Sequence, residues 1–394
     1  TSGSPAVDKG TNSGAPPFDF DGNVRPHVAT LVGASTVADI GAFESTFEFI
    51  PPPTFDHTFA DASKPDNSGD GGSLATAKQT IKAALAVTNP AGHCHVSAGS
   101  YSEGTLTLKD GISIFGAGQS VVTIDGTLSA SDFGVISGIT IEGADGIKCS
   151  GSPGTAVIED TTVQDGLGIV LTSCATGLTV RKCKILNVAY PAGIKIELSN
   201  GLEVENCIIA GNTSGNIVDM RSGAANKMTN CTVVGLDLNE EGVKGGGTPI
   251  FRNCIFVDVR DKDRTGSFSF ENSMNIDHCL VFQSAPSTFP LFKVNVTVGP
   301  NNLLNVDPLF AAVETGDEGY SLDSGSPAKD AGLVAVAPAD DLLGNLRDDG
   351  APDMGALEQQ VQCAAPFADT YANANTGDDA NCGDTPSTAK KTIQ

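Results

Sequence analysis

Between residues 134 and 283 one register returns seven times, at Ile139, Thr161, Cys183, Cys207, Cys231, Cys254 and Cys279, with spacings of 22, 22, 24, 24, 23 and 25. Two positions later each copy holds an apolar residue: Ile141, Val163, Ile185, Ile209, Val233, Phe256 and Val281. Three positions earlier each holds another: Ile136, Ile158, Val180, Val204, Met228, Phe251 and Ile276. A step of two is the ordinary alternation of a strand. A step of three breaks that parity, so both flanks face inward only if the chain bends between them. The bend carries glycine or polar residues: Ser137-Gly138, Glu159-Asp160, Arg181-Lys182, Glu205-Asn206, Thr229-Asn230, Arg252-Asn253 and Asp277-His278. Short strands, a sharp bend and a return every 22 to 25 residues describe the coils of an all-β, right-handed parallel β-helix, stacked at the interstrand distance of about 4.8 Å. A β-sandwich would instead show hairpin signals every ~8–12 residues and no fixed register. Asn206, Asn230 and Asn253 are placed one above another, where stacked amides satisfy backbone groups of the turn.

Ahead of the coils, Ser73–Leu85 has helical spacing at Leu74, Ala77, Ile81, Ala84 and Leu85, with Ser73 as N-cap. It predicts an amphipathic helix that covers the open apolar end of the coil stack.

A second, larger repeat frames the first. Ser4-Pro5-Ala6, Asp8 and Gly10 return as Ser326-Pro327-Ala328, Asp330 and Gly332, and Asp39-Ile40-Gly41-Ala42-Phe43-Glu44 returns as Asp353-Met354-Gly355-Ala356-Leu357-Glu358. Toward the other end, Phe59-Ala60-Asp61 and Thr76-Ala77-Lys78-Gln79-Thr80-Ile81 return as Phe367-Ala368-Asp369 and Thr388-Ala389-Lys390-Lys391-Thr392-Ile393. Offsets of 322, 314, 308 and 312 make each unit a domain, too long for a solenoid repeat. The expected organisation is the tail of a preceding unit at 1–45, a Pro-rich linker at 46–57, a complete unit at 58–358, a linker at 359–366 and the start of a next unit at 367–394. The expected parent is a longer tandem array. Arg25 and Arg347 each precede the Asp-x-Gly-Ala-x-Glu motif, which predicts a buried arginine–carboxylate clamp holding the tail against the coils.

Charge narrows the partners. With 47 acidic against 23 basic residues the net charge is −24, which opposes nucleic acid and anionic membranes, and no apolar run is long enough to insert in a bilayer. Three Asn-x-Ser/Thr sequons, at Asn212, Asn230 and Asn295, are compatible with a secreted protein.

Ten cysteines divide by position. Cys183, Cys207, Cys231, Cys254 and Cys279 occupy one inward column; parallel in-register side chains keep their Cβ atoms too far apart for easy bridging, so they are expected as buried thiols. A straight column also lacks tetrahedral convergence on a metal. Cys363 and Cys382 map onto Phe55 and Asp70 of the earlier copy, absent there together, and are expected to form a disulfide. Cys94, Cys149 and Cys174 stay unassigned.

The head segment 59–81, Val96-Ser97-Ala98-Gly99-Ser100-Tyr101, Gly111-Ile112-Ser113-Ile114-Phe115-Gly116, the Asn-Cys bends and the tail with Asp307-Pro308-Leu309-Phe310, Gly344-Asn345-x-Arg347 and Asp353-x-Gly355-Ala356-x-Glu358 resemble pectin-lyase-like β-helix domains of large bacterial surface proteins. The resemblance implies the fold over nearly the whole chain and leaves activity open, because such folds carry lyases, hydrolases, adhesins and structural proteins. Asp277-His278 looks like the Asp-His bend of pectate lyases, where Ca²⁺ and an arginine base act on a polyuronate; sharing the register of the other bends, it is read first as one more polar bend and only as the runner-up as a catalytic pair. Asp61, Asp66, Asn67 and Asp70 offer oxygen ligands for Ca²⁺, the one cofactor considered, although turn chemistry also explains them. The expected function is a non-catalytic structural repeat of a secreted or cell-surface fibre, sheath, stalk or adhesin, partnered by neighbouring copies of itself, covalently and laterally, and by glycans. A polysaccharide lyase or hydrolase acting on acidic glycans is the runner-up, and a glycan-binding adhesin the third reading.

Overall fold

The computed structural model describes residues 53–359 apart from short loop segments, the longest being 260–273. The chain divides into two compact units, 1–53 and 54–394, and the coils belong to the second. The expected tail of a preceding unit, most of the first linker, the second linker, the start of a next unit and the Cys363–Cys382 pair lie outside the described residues.

Every strand pairing in the coils is parallel. Eleven strands, from Phe55–Ala60 through Thr88–Val96 and Ile112–Gly116 to Val296–Val298, form one face. The other fifteen form a sheet that the long strand Val122–Ala130 splits into two faces: its residues 123–125 pair with Thr140–Glu142, and 128–130 pair with Ile147–Ser150. Each coil therefore visits three faces, as Val157–Glu159, Thr162–Gln164 and Ile169–Thr172 do.

The pairing register is the one the spacing predicts. Ile136, Ile158, Val180, Val204, Met228, Phe251 and Ile276 stack as Cα partners on the first face. Ile141, Val163, Ile185, Ile209, Val233, Phe256 and Val281 stack on the second. All of them are buried in one continuous core. What lets both columns point inward is a single left-handed residue between them: Gly138, Asp160, Lys182, Asn206, Asn230, Asn253 and His278 have φ between 45° and 70°. One residue outside the strand conformation restores the parity lost to the step of three.

The start of the unit differs from the predicted helix. Only Ile81–Leu85 is helical, with Thr80 rather than Ser73 as N-cap. Upstream, Lys78 is held as strand, donating to Phe59 O and accepting from Asp61 N, while Asp70 Oδ1 binds Gly72 N and Thr76 Oγ1. Those local bonds outcompete helical propensity, and Leu74 is left 58% exposed. The remaining turn still buries Ile81 and Ala84 at the end of the coil core, and Glu103 receives the N–H groups of Ile81 and Lys82. The first strand starts at Phe55, so Phe55, Asp56 and His57, assigned from sequence to the linker, belong to the coil stack.

Candidate functional site

Residues beyond Asn305 cross the outside of the second face. In the early coils that face alternates, as Thr140-Ile141-Glu142 and Thr162-Val163-Gln164 do, with the middle residue inward. In later coils it reads Ile208-Ile209-Ala210, Thr232-Val233-Val234 and Ile255-Phe256-Val257, buried at all three positions. The outward members Ile208, Val234, Ile255, Val257 and Leu280 form a second apolar cluster with Leu322, Ala328, Leu342, Met354, Ala356 and Leu357 of the tail. A continuous apolar run in a parallel strand signals burial on both faces, and the runs at 208–210 and 255–257 carry that signal in the sequence.

The Asn bends lie beneath the tail. Asn206 Nδ2 donates to Asp340 O, Asn230 Nδ2 donates to Asp353 O at 2.9 Å, and Asn253 Nδ2 donates to Leu333 O while its Oδ1 accepts Leu333 N at 2.7 Å. One amide rung joins the column itself, Asn253 Nδ2 to Asn230 Oδ1 at 3.1 Å. Lys182, one coil earlier, pairs with Asp340 Oδ2 at 2.6 Å. Asn230, one of the sequon residues, is fully buried.

A buried polar knot closes the strap. Arg347 Nη1 pairs with Glu358 Oε2 at 2.5 Å, and Nη2 donates to Asn206 Oδ1 and to Gly355 O. Glu358 Oε2 also accepts Asp353 N, Asp353 accepts the N–H groups of Asp330 and Gln359, and Asp341 accepts those of Leu343, Asn345 and Glu358. Burial raises the Asp353 carboxyl to about 6 against the lowering effect of those backbone donors. Gly355 has φ +98, and a Cβ there would sit 2.8 Å from Ile255 Cδ1 and Thr232 Oγ1. The glycine of the Asp-x-Gly-Ala-x-Glu motif is thus required by the close approach of strap to coil.

The five cysteines of the inward column are buried free thiols. Cys183, Cys207, Cys231, Cys254 and Cys279 each point Sγ at the carbonyl two residues earlier, at 3.1 to 3.4 Å, and Thr161 Oγ1 does the same to Glu159 O at 2.7 Å. The column supplies a small donor to the carbonyl just before each left-handed bend. Burial pushes Cys183, Cys231 and Cys279 well above an ordinary thiol. Cys94 is buried against Thr58 and raised to about 12, chiefly by desolvation. Cys149 and Cys174 approach to 3.2 Å between sulfurs, below Ser199, whose Oγ accepts Cys174 N.

Asp277 and His278 occupy the bend register. Asp277 Oδ1 accepts the N–H of His278, and His278 Nδ1 lies 3.2 Å from Asp277 Oδ2, so the pair is turned on itself. The charged coil exit that follows Asp258 in sequence, Arg260, Asp261, Asp263 and Arg264, which could line a groove beside this bend, lies outside the described residues. In the head loop each oxygen candidate serves a turn. Asp61 accepts Ser63 N and Oγ, Asp66 accepts Ser68 N, Asp70 holds Gly72 and Thr76, and Asn67 Oδ1 accepts Thr80 N. Hydrogen bonds from these partners lower the carboxyls of Asp61, Asp66 and Asp70.

Sequence reasoning overlooked another cluster. His57 is the Cα partner of His93, and His95 follows two positions on, so three imidazoles share the outer side of the first face. Their ligand atoms lie within 4.8 Å of one another, the one such grouping of His, Cys, Asp or Glu among the described residues. The signal was His-x-His in a strand next to a strand with an outward His; seeing it required the register between them.

Three faces of parallel strands with a strap sealing one of them define a parallel β-helix. The chain belongs to the right-handed β-helix region family, which matches residues 91–302, more than half of its length. Among solved structures the chain is similar to pectate lyase Pel9A, at 15% identity over 78% of this chain and 97% of that one, with a TM-score of 0.48. It is also similar to ORF18 of Geobacillus virus E2, at 14% identity over 54% and 53% of the two chains (TM-score 0.38). A third likeness is to the A-module of the Azotobacter vinelandii mannuronan C-5 epimerase AlgE4, at 14% over 63% and 98% (TM-score 0.20). No curated protein matches the chain in sequence. Among the described residues no helix is long and apolar enough to cross a membrane.

Proposed function

We propose that this chain is a segment of a secreted or cell-surface protein assembled from tandem β-helix units, and that the unit serves as architecture, in a fibre, sheath, stalk or adhesin, without catalysis. The observation that carries this reading is the recurrence of the strap's buried polar residues. Asp341, Arg347, Asp353 and Glu358 bind one another within the strap, and Arg347 Nη2 ties the knot to Asn206 Oδ1 of the coils. In sequence each has a counterpart near the start of the chain: Asp19 and Arg25 in Asp-x-x-Gly-Asn-x-Arg, and Asp39 and Glu44 in Asp-x-Gly-Ala-x-Glu. Ser326, whose Oγ donates to Pro308 O, has its counterpart in Ser4. A set of residues whose only evident use is to close one coil stack has reason to occur twice if two stacks are closed. Neighbouring copies are then the principal partners, covalently and side by side, with glycans as further ligands.

Eleven strands on one face at ~4.8 Å give each unit a rod of roughly 50 Å. Electron microscopy of native material is expected to show an axial repeat of that order plus a linker. The opposing test is incubation of the chain with polygalacturonate and alginate, with and without Ca²⁺. No unsaturated uronate is expected; Ca²⁺-dependent product that disappears in Asp277→Ala would replace architecture with lyase chemistry.

A further inference from the structure

We propose that His57, His93 and His95 together bind one divalent transition-metal ion of the Zn²⁺ type, and that the ion staples the first strand of the unit to the second.

Pairing fixes the site. The first strand, Phe55–Ala60, runs parallel to Thr88–Val96 with His57 opposite His93 and Phe59 opposite His95. Thr58 and Ala60 on one strand and Cys94 and Val96 on the other point inward and are buried, so the alternate residues His57, His93 and His95 point out on the same side. The three rings meet there. His57 Nδ1 lies 3.0 Å from His95 Nε2, and the His57 ring centroid is 5.0 Å from that of His93 and 5.3 Å from that of His95. Two nitrogens bound to one tetrahedral Zn²⁺ at about 2.0–2.1 Å sit roughly 3.3 Å apart. The His57–His95 separation is within a few tenths of an ångström of that, and His57, the exposed member, can make the adjustment.

The surroundings restrict the rings. Phe59 stacks on His95 at 5.1 Å, and Phe115 of the following coil packs on His95 at 5.9 Å and edge-on to His93 at 5.3 Å. These two aromatics hold both imidazoles of the second strand from their flanks, so two ligands are positioned before an ion arrives. Three neutral nitrogens suit Zn²⁺, Cu²⁺ or Ni²⁺ and are poor ligands for Ca²⁺ and Mg²⁺, which take oxygen. A net charge of −24 attracts any cation to the surface. Three protein ligands leave a fourth position for water or for a ligand from another chain.

The position of the site suggests its use. Phe55–Ala60 is the terminal strand of its face, and its outer edge is bonded to loop backbone at Gly71 and Lys78 rather than to a further strand. Terminal strands open most readily, and a metal bridging His57 to His93 and His95 resists that opening where the coil stack begins. The site also belongs to this unit in particular: the offset of 308 that maps Phe59 onto Phe367 places Ala365 at the position of His57.

The test uses the whole 394-residue chain, without an affinity tag, stripped with chelator and titrated calorimetrically with ZnCl₂ or CaCl₂ at neutral pH. The expected result is one Zn²⁺ per chain, no comparable Ca²⁺ binding, and a visible spectrum typical of nitrogen-ligated Co²⁺ when Co²⁺ is substituted. His57→Ala and His95→Ala are each expected to weaken Zn²⁺ at least about tenfold, and His27→Ala to leave it unchanged. His57 is exposed, so its variant stays informative if the His95 variant does not fold. Absence of Zn²⁺ binding, or binding of equal strength in folded His57→Ala, overturns the proposal.

Discussion

At the scale of single residues the fold depends on the left-handed residue that each coil places between its first and second faces. An L-residue there costs about 1–2 kcal/mol relative to glycine unless its side chain makes good the loss. Asn206, Asn230 and Asn253 do so with hydrogen bonds to the strap. Asn230→Ala is therefore expected to lose about 2–3 kcal/mol, from the strained φ and from the severed bonds to Asp353 O and Asn253. Asn230→Gly keeps the backbone conformation and is expected to lose about 1 kcal/mol less. Urea denaturation of the two variants measures the difference; equal losses would mean that φ is not what the column selects. The column was legible because the period was. Its partners were not, since Asp353 and Leu333 lie 123 and 80 residues away from the amides they meet.

At the scale of elements, local chemistry overrode local pattern at the start of the unit. Leu74, Ala77, Ile81, Ala84 and Leu85 have the spacing of a long amphipathic helix, yet pairing of Lys78 with the first strand and the Asp70 and Asn67 turns leave one helical turn. Of the periodic positions Ala77, Ile81 and Ala84 are buried while Leu74 is exposed, because the spacing does not report that a strand waits beside the segment. The strap carries the element-scale pH dependence. Asp353 titrates near 6 in the folded chain against an ordinary value of 3.8, so the folded chain binds this proton more tightly than the unfolded chain does. The stability contributed by that proton is fully present below the ordinary value and is lost as pH rises through about 6. An NMR titration of the Asp353 carboxyl carbon should show a midpoint near 6; a midpoint at or below the ordinary value would contradict the dominance of burial over its backbone donors.

At the scale of the whole unit two cores coexist, one inside the coils and one between the second face and the strap. Ile208, Ile255 and Leu280 are fully buried in the cluster shared by the second face and the strap, and exposing these three would cost at most about 5–9 kcal/mol at about 1.5–3 kcal/mol each. That is comparable with the total stability of a typical domain, so the strap is part of the fold. Glu358→Gln leaves the Arg347 guanidinium buried without its carboxylate and is expected to cost about 3–5 kcal/mol. Limited proteolysis should then cut first between Asn305 and Gly350, with far-UV circular dichroism of the coils retained; resistance equal to the parent chain would show that the knot does not hold the strap.

The coil was legible in the spacing: the bend, the two inward columns that flank it and their register all follow from a period near 23 residues, because stacking similar coils places equivalent residues in contact. The sequence also marked the clamp residues, since Arg347, Asp353 and Glu358 belong to a motif that occurs twice. The folded chain sets the rest: a third strand face in each coil, which face the strap covers, which partners the Asn column meets, and the convergence of His57, His93 and His95. The last three depend on the alignment of segments that share no period, and such an alignment is set by packing in three dimensions.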